Sequence, residues 1–139
     1  MGLATSQLLA SRSASISLAD LQEAARKIAV EALLGSTTKH LATVVDVRDG
    51  ASVDSWIDKT VQKFGKLDGA VNMAGVLFPS VPLTEVSNDQ LGFVLSVNVV
   101  GVFKCLRAQL KAMTAGSIAC MAQHKQHSDI PILFKTLLS

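Results

Sequence analysis

Tyrosine is absent from the 139 residues of this chain. A mechanism that uses a phenol as its acid or base therefore has no group to run on within it. Cysteine is scarce: Cys105 and Cys120 are the two present, too few for a disulfide framework and in keeping with a reducing compartment. No charge of one sign dominates. Thirteen basic residues against 11 acidic ones leave a net charge of +2, which argues against a dedicated binder of nucleic acid or another polyanion. Long apolar runs are missing too, since the most apolar stretch, residues 91–106, is broken by Ser96, Asn98 and Lys104. A membrane partner is therefore not expected.

What is present describes a folded domain. Hydrophobic residues make up 49% and charged ones 17%, a balance that excludes disorder along the whole chain. The length fits one domain able to bury a real core. The first nineteen residues hold Arg12, several serines and no acid, a faint likeness to a mitochondrial presequence, and Met1-Gly2 with Ser6 fits the short myristoylation pattern. A first helix of a soluble domain explains the same residues better, so a cytoplasmic location is the expectation.

Strands and helices alternate along the chain. Residues 3–12 read as a helix and residues 14–19 alternate as a strand does. Asp20 stands where a helix N-cap is wanted, ahead of Leu21, Ala24, Ala25, Ile28 and Ala32 at helical spacing. Gly35 ends that helix, and a polar loop leads to an apolar strand over residues 41–47. Asp49-Gly50 is turn chemistry. A helix through Val53, Trp56, Ile57, Val61 and Phe64 follows, with Trp56 and Phe64 expected in the core, and Gly65 stops it. Residues 67–73 read as a strand, Pro79 and Pro82 mark a loop, Ser87 caps a long helix over residues 88–113, and residues 116–121 form a last strand. Residues 130–138 suit a short helix or an edge filler, because Pro131 weakens them as an interior strand. Strands separated by helices of this length imply βαβ units, hence an α/β fold with a parallel sheet and helices on both faces. Such sheets bind ligands at the carboxyl ends of their strands. Asp20, Asp46 and Asn72-Met73-Ala74-Gly75 fall at those ends, a set that suits sugar hydroxyls and an adenine amino group.

The order of these residues resembles the short-chain dehydrogenase/reductase family. Met1-Gly2-Leu3-Ala4 is similar to the end of the family's glycine-rich turn, with Gly2 as its third glycine. Asp20 matches the acid that ends the second strand. Asn72, Ala74 and Gly75 match the Asn-Asn-Ala-Gly motif, with Met73 in place of its second asparagine, and the run from Ser96 to Phe103 matches the helix that carries the catalytic asparagine. The likeness covers residues 1–118. It implies an incomplete doubly wound, Rossmann-like sheet, with a partial dinucleotide-binding domain at 1–118 and a divergent tail at 119–139.

The family moves hydride between a nicotinamide dinucleotide and an alcohol or carbonyl carbon. On this likeness Asp20 would accept from the adenosine ribose hydroxyls and repel a 2′-phosphate, which implies NAD over NADP. Asp46 would hold the adenine amino group with the Val47 backbone beside it. Asn72, Ala74 and Gly75 would pass close to the ribose, where a side chain at Gly75 would clash. Asn98 would hold a water of the proton relay, and Arg107 is a further candidate on the cofactor side. Plainer readings stay open for each: Asp20 as a cap, Asp46 starting a turn with Arg48 and Asp49, Gly75 as loop punctuation, Asn98 satisfying backbone groups. Cys105 reads as a core thiol. His124 and His127, with Asp129 near them, make too sparse a set for a metal site, and none is expected.

The sequence departs from the family's pattern at both ends of this likeness. Its first strand and first two glycines have no match, and no Gly-x-Gly occurs. The catalytic serine expected around Ala122 or Gln123 is not there, the Tyr-x-x-x-Lys pair cannot be formed, and Lys125 and Lys135 lack its context. The expectation is an oxidoreductase-like protein impaired in catalysis. The alternatives are a catalytically silent binding or dimerisation module, working through the helix at residues 88–113, and a non-functional truncated gene product. With the central strand unmatched, the strands at 14–19 and 67–73 would pair directly or leave a gap about 4.8 Å wide.

Overall fold

The computed structural model describes residues 2–23, 29–33, 39–78, 81–120 and the backbone of 132–135. Helix α1 (Gly2–Ser11) leads into strand β1 (Ser15–Asp20), and β2 (His40–Val44) precedes helix α2 (Gly50–Phe64). Strand β3 (Gly69–Asn72) is followed by a 3₁₀ turn at Leu83–Glu85, helix α3 (Asn88–Ala112), and strands β4 (Ser117–Cys120) and β5 (Ile132–Lys135). Of the helix expected after Asp20, Glu23 and residues 29–31 are helical, while Ala24, Ala25 and Ile28 lie outside the described residues. So do Gly35, Pro79, Ala122, Gln123, His124, Lys125, His127, Asp129 and Pro131.

Local chemistry sets the helix ends. The Asp49 carboxylate accepts the Ala51 N–H at 3.0 Å and opens α2. Gly65 closes it with φ +80°, donating its N–H to the Val61 carbonyl at 2.7 Å; a left-handed residue there favours glycine. At the start of α3, Ser87 and Gln90 form a reciprocal capping box. Helix α3 is not uniform: Ser96–Gly101 is wound as a π segment between α-helical Asn88–Leu95 and Val102–Ala112. Such segments change the phase of the side chains that follow and are frequent at functional sites.

The sheet has the order β2-β1-β5-β3-β4. β1 with β2, and β3 with β4, pair in parallel, as the alternating pattern predicts. The position between β1 and β3 is neither a gap nor a direct pairing. β5 fills it, running antiparallel to both, with Ser17 and Ala70 both opposite Leu133. Within the stretch expected to form a short helix or an edge filler, Ile132–Lys135 is thus neither, and the sheet is mixed. The physical reason is that β1 and β3 are buried, so their facing N–H and C=O groups must be paired or carry a desolvation cost. Ile132, Leu133 and Phe134 supply an apolar strand that can close both ladders in the antiparallel sense. β4 also runs across the expected 118/119 boundary, and Ile132–Lys135 lies in the same sheet.

Helices lie on both faces. On one, Ala10 at the end of α1 packs with Ile16, Leu18, Val71 and Met73. On the other, Trp56 and Ile57 of α2 and Cys105 and Ala108 of α3 pack with Ala19, Val47 and Ala70. The period-2 alternation of β1 and β3 thus sorts their side chains between two cores. Trp56 is fully buried, and its indole N–H donates to Ser17 Oγ at 2.9 Å. Thr60 Oγ1 donates to the Trp56 carbonyl at 2.8 Å and lies 2.7 Å from Ser17 Oγ. A hydroxyl has one proton to give, so Ser17 must donate to Thr60 and the three groups form one directed chain. Phe64, expected in the core, is half-buried with the Lys63 ammonium over its ring.

Candidate functional site

A cavity of about 230 Å³ opens at the carboxyl ends of β1, β2 and β3. Asp20, Leu21 and Gln22 line it beyond β1; Val45, Asp46, Val47 and Arg48 beyond β2; Ala74, Gly75 and Val76 beyond β3. Phe93 and Val97, one α3 turn apart, close the fourth side. Five of the residues singled out by sequence, Asp20, Asp46, Val47, Ala74 and Gly75, therefore meet around one space. Its size is below the roughly 300–1,000 Å³ of a site that encloses a whole drug-sized ligand, and suits part of a larger molecule.

The two carboxylates differ in their commitments. Asp20 Oδ1 accepts the Gln22 N–H at 2.7 Å, the turn-starting bond of the capping reading, and this leaves capacity on a group that can accept about four bonds. Asp46 begins a turn, as its plainer reading has it: its carbonyl accepts the Asp49 N–H at 3.0 Å, and its carboxylate is held by Arg48 in a pair as close as 2.6 Å. Hydrogen bonding by the Arg48 guanidinium holds the Asp46 carboxyl below its ordinary pKa of 3.8, and the same bond raises Arg48. The Lys104 ammonium donates to the Arg48 carbonyl and ties the turn to α3.

Gly75 needs its hydrogen for neither backbone nor packing. Its φ is not positive, and a Cβ built on it would meet only Asn98 Oδ1, at an ordinary 3.6 Å. The space over it belongs to the cavity. Gly101 is the opposite case. A Cβ there would stand 2.8 Å from Val47 Cγ2 and 3.2 Å from Val47 Cβ, so the missing side chain lets the π segment reach the Val47 wall.

Asn98 sits in the π segment with both ends of its amide engaged. Oδ1 accepts the Val76 N–H and Nδ2 donates to the Val76 carbonyl, each at 2.8 Å. Its side chain clamps the loop after β3, where the sequence reading had it hold a water. Asn72 does not line the cavity either. It is buried and forms a reciprocal amide pair with Gln109, at 2.9 and 2.8 Å, which fastens β3 to α3. Gly2 lies at the buried start of α1 and Arg107 beside Gly50 at the start of α2, its guanidinium over Phe103; neither is among the residues lining the cavity. Cys105 is a core thiol as expected, and burial pushes it up to about 12. Among the described residues no cluster of three or more His, Cys, Asp or Glu side chains could hold a metal ion.

Sequence reasoning missed Gln109, Phe93, Val97 and Val76. The signal for Phe93 and Val97 was their i, i+4 spacing just ahead of Asn98. A buried glutamine on an apolar helix face carries no such signal. Helix α3 is long and apolar enough to cross a membrane, yet Cys105, Ala108 and Gln109 are buried in the fold.

A family model described as Enoyl-(Acyl carrier protein) reductase matches residues 1–132. The chain is 47% identical over 118 residues to "Short-chain dehydrogenase/reductase aba4" of Botryotinia fuckeliana, which covers 81% of the chain and 45% of that protein. Among solved structures, it is similar to levodione reductase, with a TM-score of 0.82 and 31% identity over 88% of this chain and 49% of that one. It is also similar to a 3-ketoacyl-(acyl-carrier-protein) reductase from Brucella melitensis complexed with NADH, with a TM-score of 0.71 and 26% identity over 80% of this chain and 43% of that one. The chain thus spans about half the length of these relatives.

Proposed function

Since the chain belongs to the short-chain dehydrogenase/reductase family, we propose that its cavity takes the adenosine half of a nicotinamide dinucleotide, with NAD preferred over NADP. The observation that carries this reading is Gly75: neither backbone angle nor packing asks for a glycine, while a ligand lying against that backbone does. Asp20, with acceptor capacity left over, faces the ribose hydroxyls, and its charge disfavours a 2′-phosphate there. Asp46 and the Val47 backbone face the base. Asn98 is a positioning residue for this site, since it fixes the Val76 end of the loop that carries Gly75.

When bound, the dinucleotide supplies or accepts a hydride. This chain's own residues would hold the nucleoside and keep water from the apolar wall of Val47, Val97 and Ala74. The proton that accompanies hydride transfer has no tyrosine to come from, and the Asn98 amide does not titrate. Nucleotide binding without turnover is the activity we assign to this stretch of chain. The test is equilibrium binding of NAD and NADP to the wild-type chain and to Gly75→Val. Wild type binds NAD more tightly, and the variant keeps its melting temperature but loses the ligand. Unchanged NAD binding by the variant would refute this use of the cavity.

A second reading, a self-associating module, is favoured by one feature of α3. Leu91, Leu95, Val99, Phe103 and Leu110 are 44–64% exposed along it, an apolar face large enough to bury against a second copy. Sedimentation of wild type against Phe103→Glu measures it: a dimer that the substitution dissolves supports this reading, and a monomeric wild type removes it.

A further inference from the structure

Asp46 is the most heavily bonded carboxylate in the cavity. Arg48 Nε lies 3.0 Å from Oδ1 and 3.1 Å from Oδ2, Arg48 Nη2 lies 2.6 Å from Oδ2, and the Arg48 backbone N–H donates to Oδ1 at 2.9 Å. Three N–H groups, that of Nε shared between both oxygens, take most of the accepting capacity of a carboxylate. The guanidinium is also placed over the Phe93 ring, 5.4 Å from its centroid, and both side chains line the cavity. An amino group entering from the cavity therefore competes for a carboxylate most of whose lone pairs are already engaged. A ring carbonyl entering the same way meets a donor.

We infer that Arg48 is a specificity-determining gate at the base end of the cavity, deciding between 6-amino and 6-oxo purines. The inference rests on the reading that the cavity takes a nucleoside. A 6-amino purine competes with the guanidinium for Asp46, so Arg48 lowers its affinity. A 6-oxo purine accepts from the guanidinium, so Arg48 raises its affinity. Removing the guanidinium leaves a carboxylate held by the residue-48 backbone N–H alone, with Oδ2 open to favour the amino ring and repel the carbonyl. The pair is partly exposed, at 43% for Arg48 and 28% for Asp46, and pairs of that kind are weak. The expected change is therefore about threefold in each direction rather than several orders of magnitude.

The experiment measures adenosine and inosine binding by equilibrium dialysis, to the full chain and to Arg48→Met. Both ligands are neutral, so added salt acts on the Asp46–Arg48 pair and not on a ligand charge. The gate predicts that Arg48→Met binds adenosine about threefold more tightly and inosine about threefold less. It also predicts that salt strengthens adenosine binding to wild type and leaves Arg48→Met unaffected. If wild type binds and the variant keeps the same adenosine-to-inosine ratio, or weakens both, the gate is overturned while the nucleoside reading stands. If neither protein binds either nucleoside, the reading of the cavity falls and the gate with it.

Discussion

Gly101→Ala sets two effects against each other, and their sizes decide the sign. Gly101 has φ −63° and ψ −47°, ordinary right-handed helix. There, alanine would normally stabilise by about 0.5–1 kcal/mol through lost backbone freedom in the unfolded chain. The new Cβ, however, would stand 2.8 Å from Val47 Cγ2, 3.2 Å from Val47 Cβ and 3.3 Å from the Ser96 carbonyl oxygen. Carbon atoms prefer about 3.5–4.0 Å, so one wall must retreat by roughly 1 Å. Val47 is a buried, β-branched member of the Trp56 core, with few rotamers to retreat into. Overpacking of this kind costs about 1–3 kcal/mol, which outweighs the helix gain and leaves a net loss of about 1–2 kcal/mol. Urea unfolding followed by the fluorescence of Trp56, the single tryptophan, reads this directly. Combining Gly101→Ala with Val47→Ala should recover most of the clash energy, giving a coupling of about 1 kcal/mol or more between the two sites. A Gly101→Ala variant more stable than wild type, with no coupling to Val47, would refute the close approach of α3 to the cavity wall.

Three further outcomes follow from the same geometry. Asn98→Ala frees Val76 from both bonds, so its amide should exchange faster, with a stability loss of about 1–2 kcal/mol; Asn98→Asp keeps the acceptor and falls between, and unchanged exchange at Val76 would contradict the clamp. Gln109→Leu strands the buried Asn72 Oδ1 and leaves Nδ2 with Cys120 Sγ alone, so it should cost about 1–3 kcal/mol by urea unfolding, whereas Asn72→Leu with Gln109→Leu should cost less than the two single changes added. Cys105 is raised from 9.0 to about 12 in the fold, so the unfolded thiol ionises first and its burial no longer favours the folded state as pH rises. Stability should fall by up to about 1.4 kcal/mol per pH unit between these values, and Cys105→Ala should lose that slope; an unchanged slope would place the proton release elsewhere.

Residues whose roles depend on the near chain were legible in the sequence. The Gly65 stop of α2, the Ser87 cap of α3 and the alternation of β1 follow from short-range chemistry, and the structure has them within a residue or two, while Asp49-Gly50, read as a turn, proves to be the start of α2. The cavity was legible as a set, because strand ends converge in an α/β sheet and Asp20, Asp46 and Gly75 each close one. Asn72 and Asn98 were legible as important but not in what they touch. An asparagine's partner depends on helix phase, which the π segment at Ser96–Gly101 shifts, and on a residue as distant in sequence as Gln109. β5 was illegible for a different reason. Nothing local in Ile132–Lys135 names the slot between β1 and β3; that slot exists only once two distant strands leave their inner edges unpaired.

The most direct test of the account is a thermal melt of the purified chain with and without NAD, followed by Trp56 fluorescence. A ligand that binds only the folded state at about ten times its Kd adds about 1.4 kcal/mol, which for a chain of this size raises the midpoint by about 5 °C. The account predicts one cooperative transition that NAD raises and that NADP raises less. A cooperative transition that NAD leaves where it was would contradict the assignment of the cavity to a nucleotide.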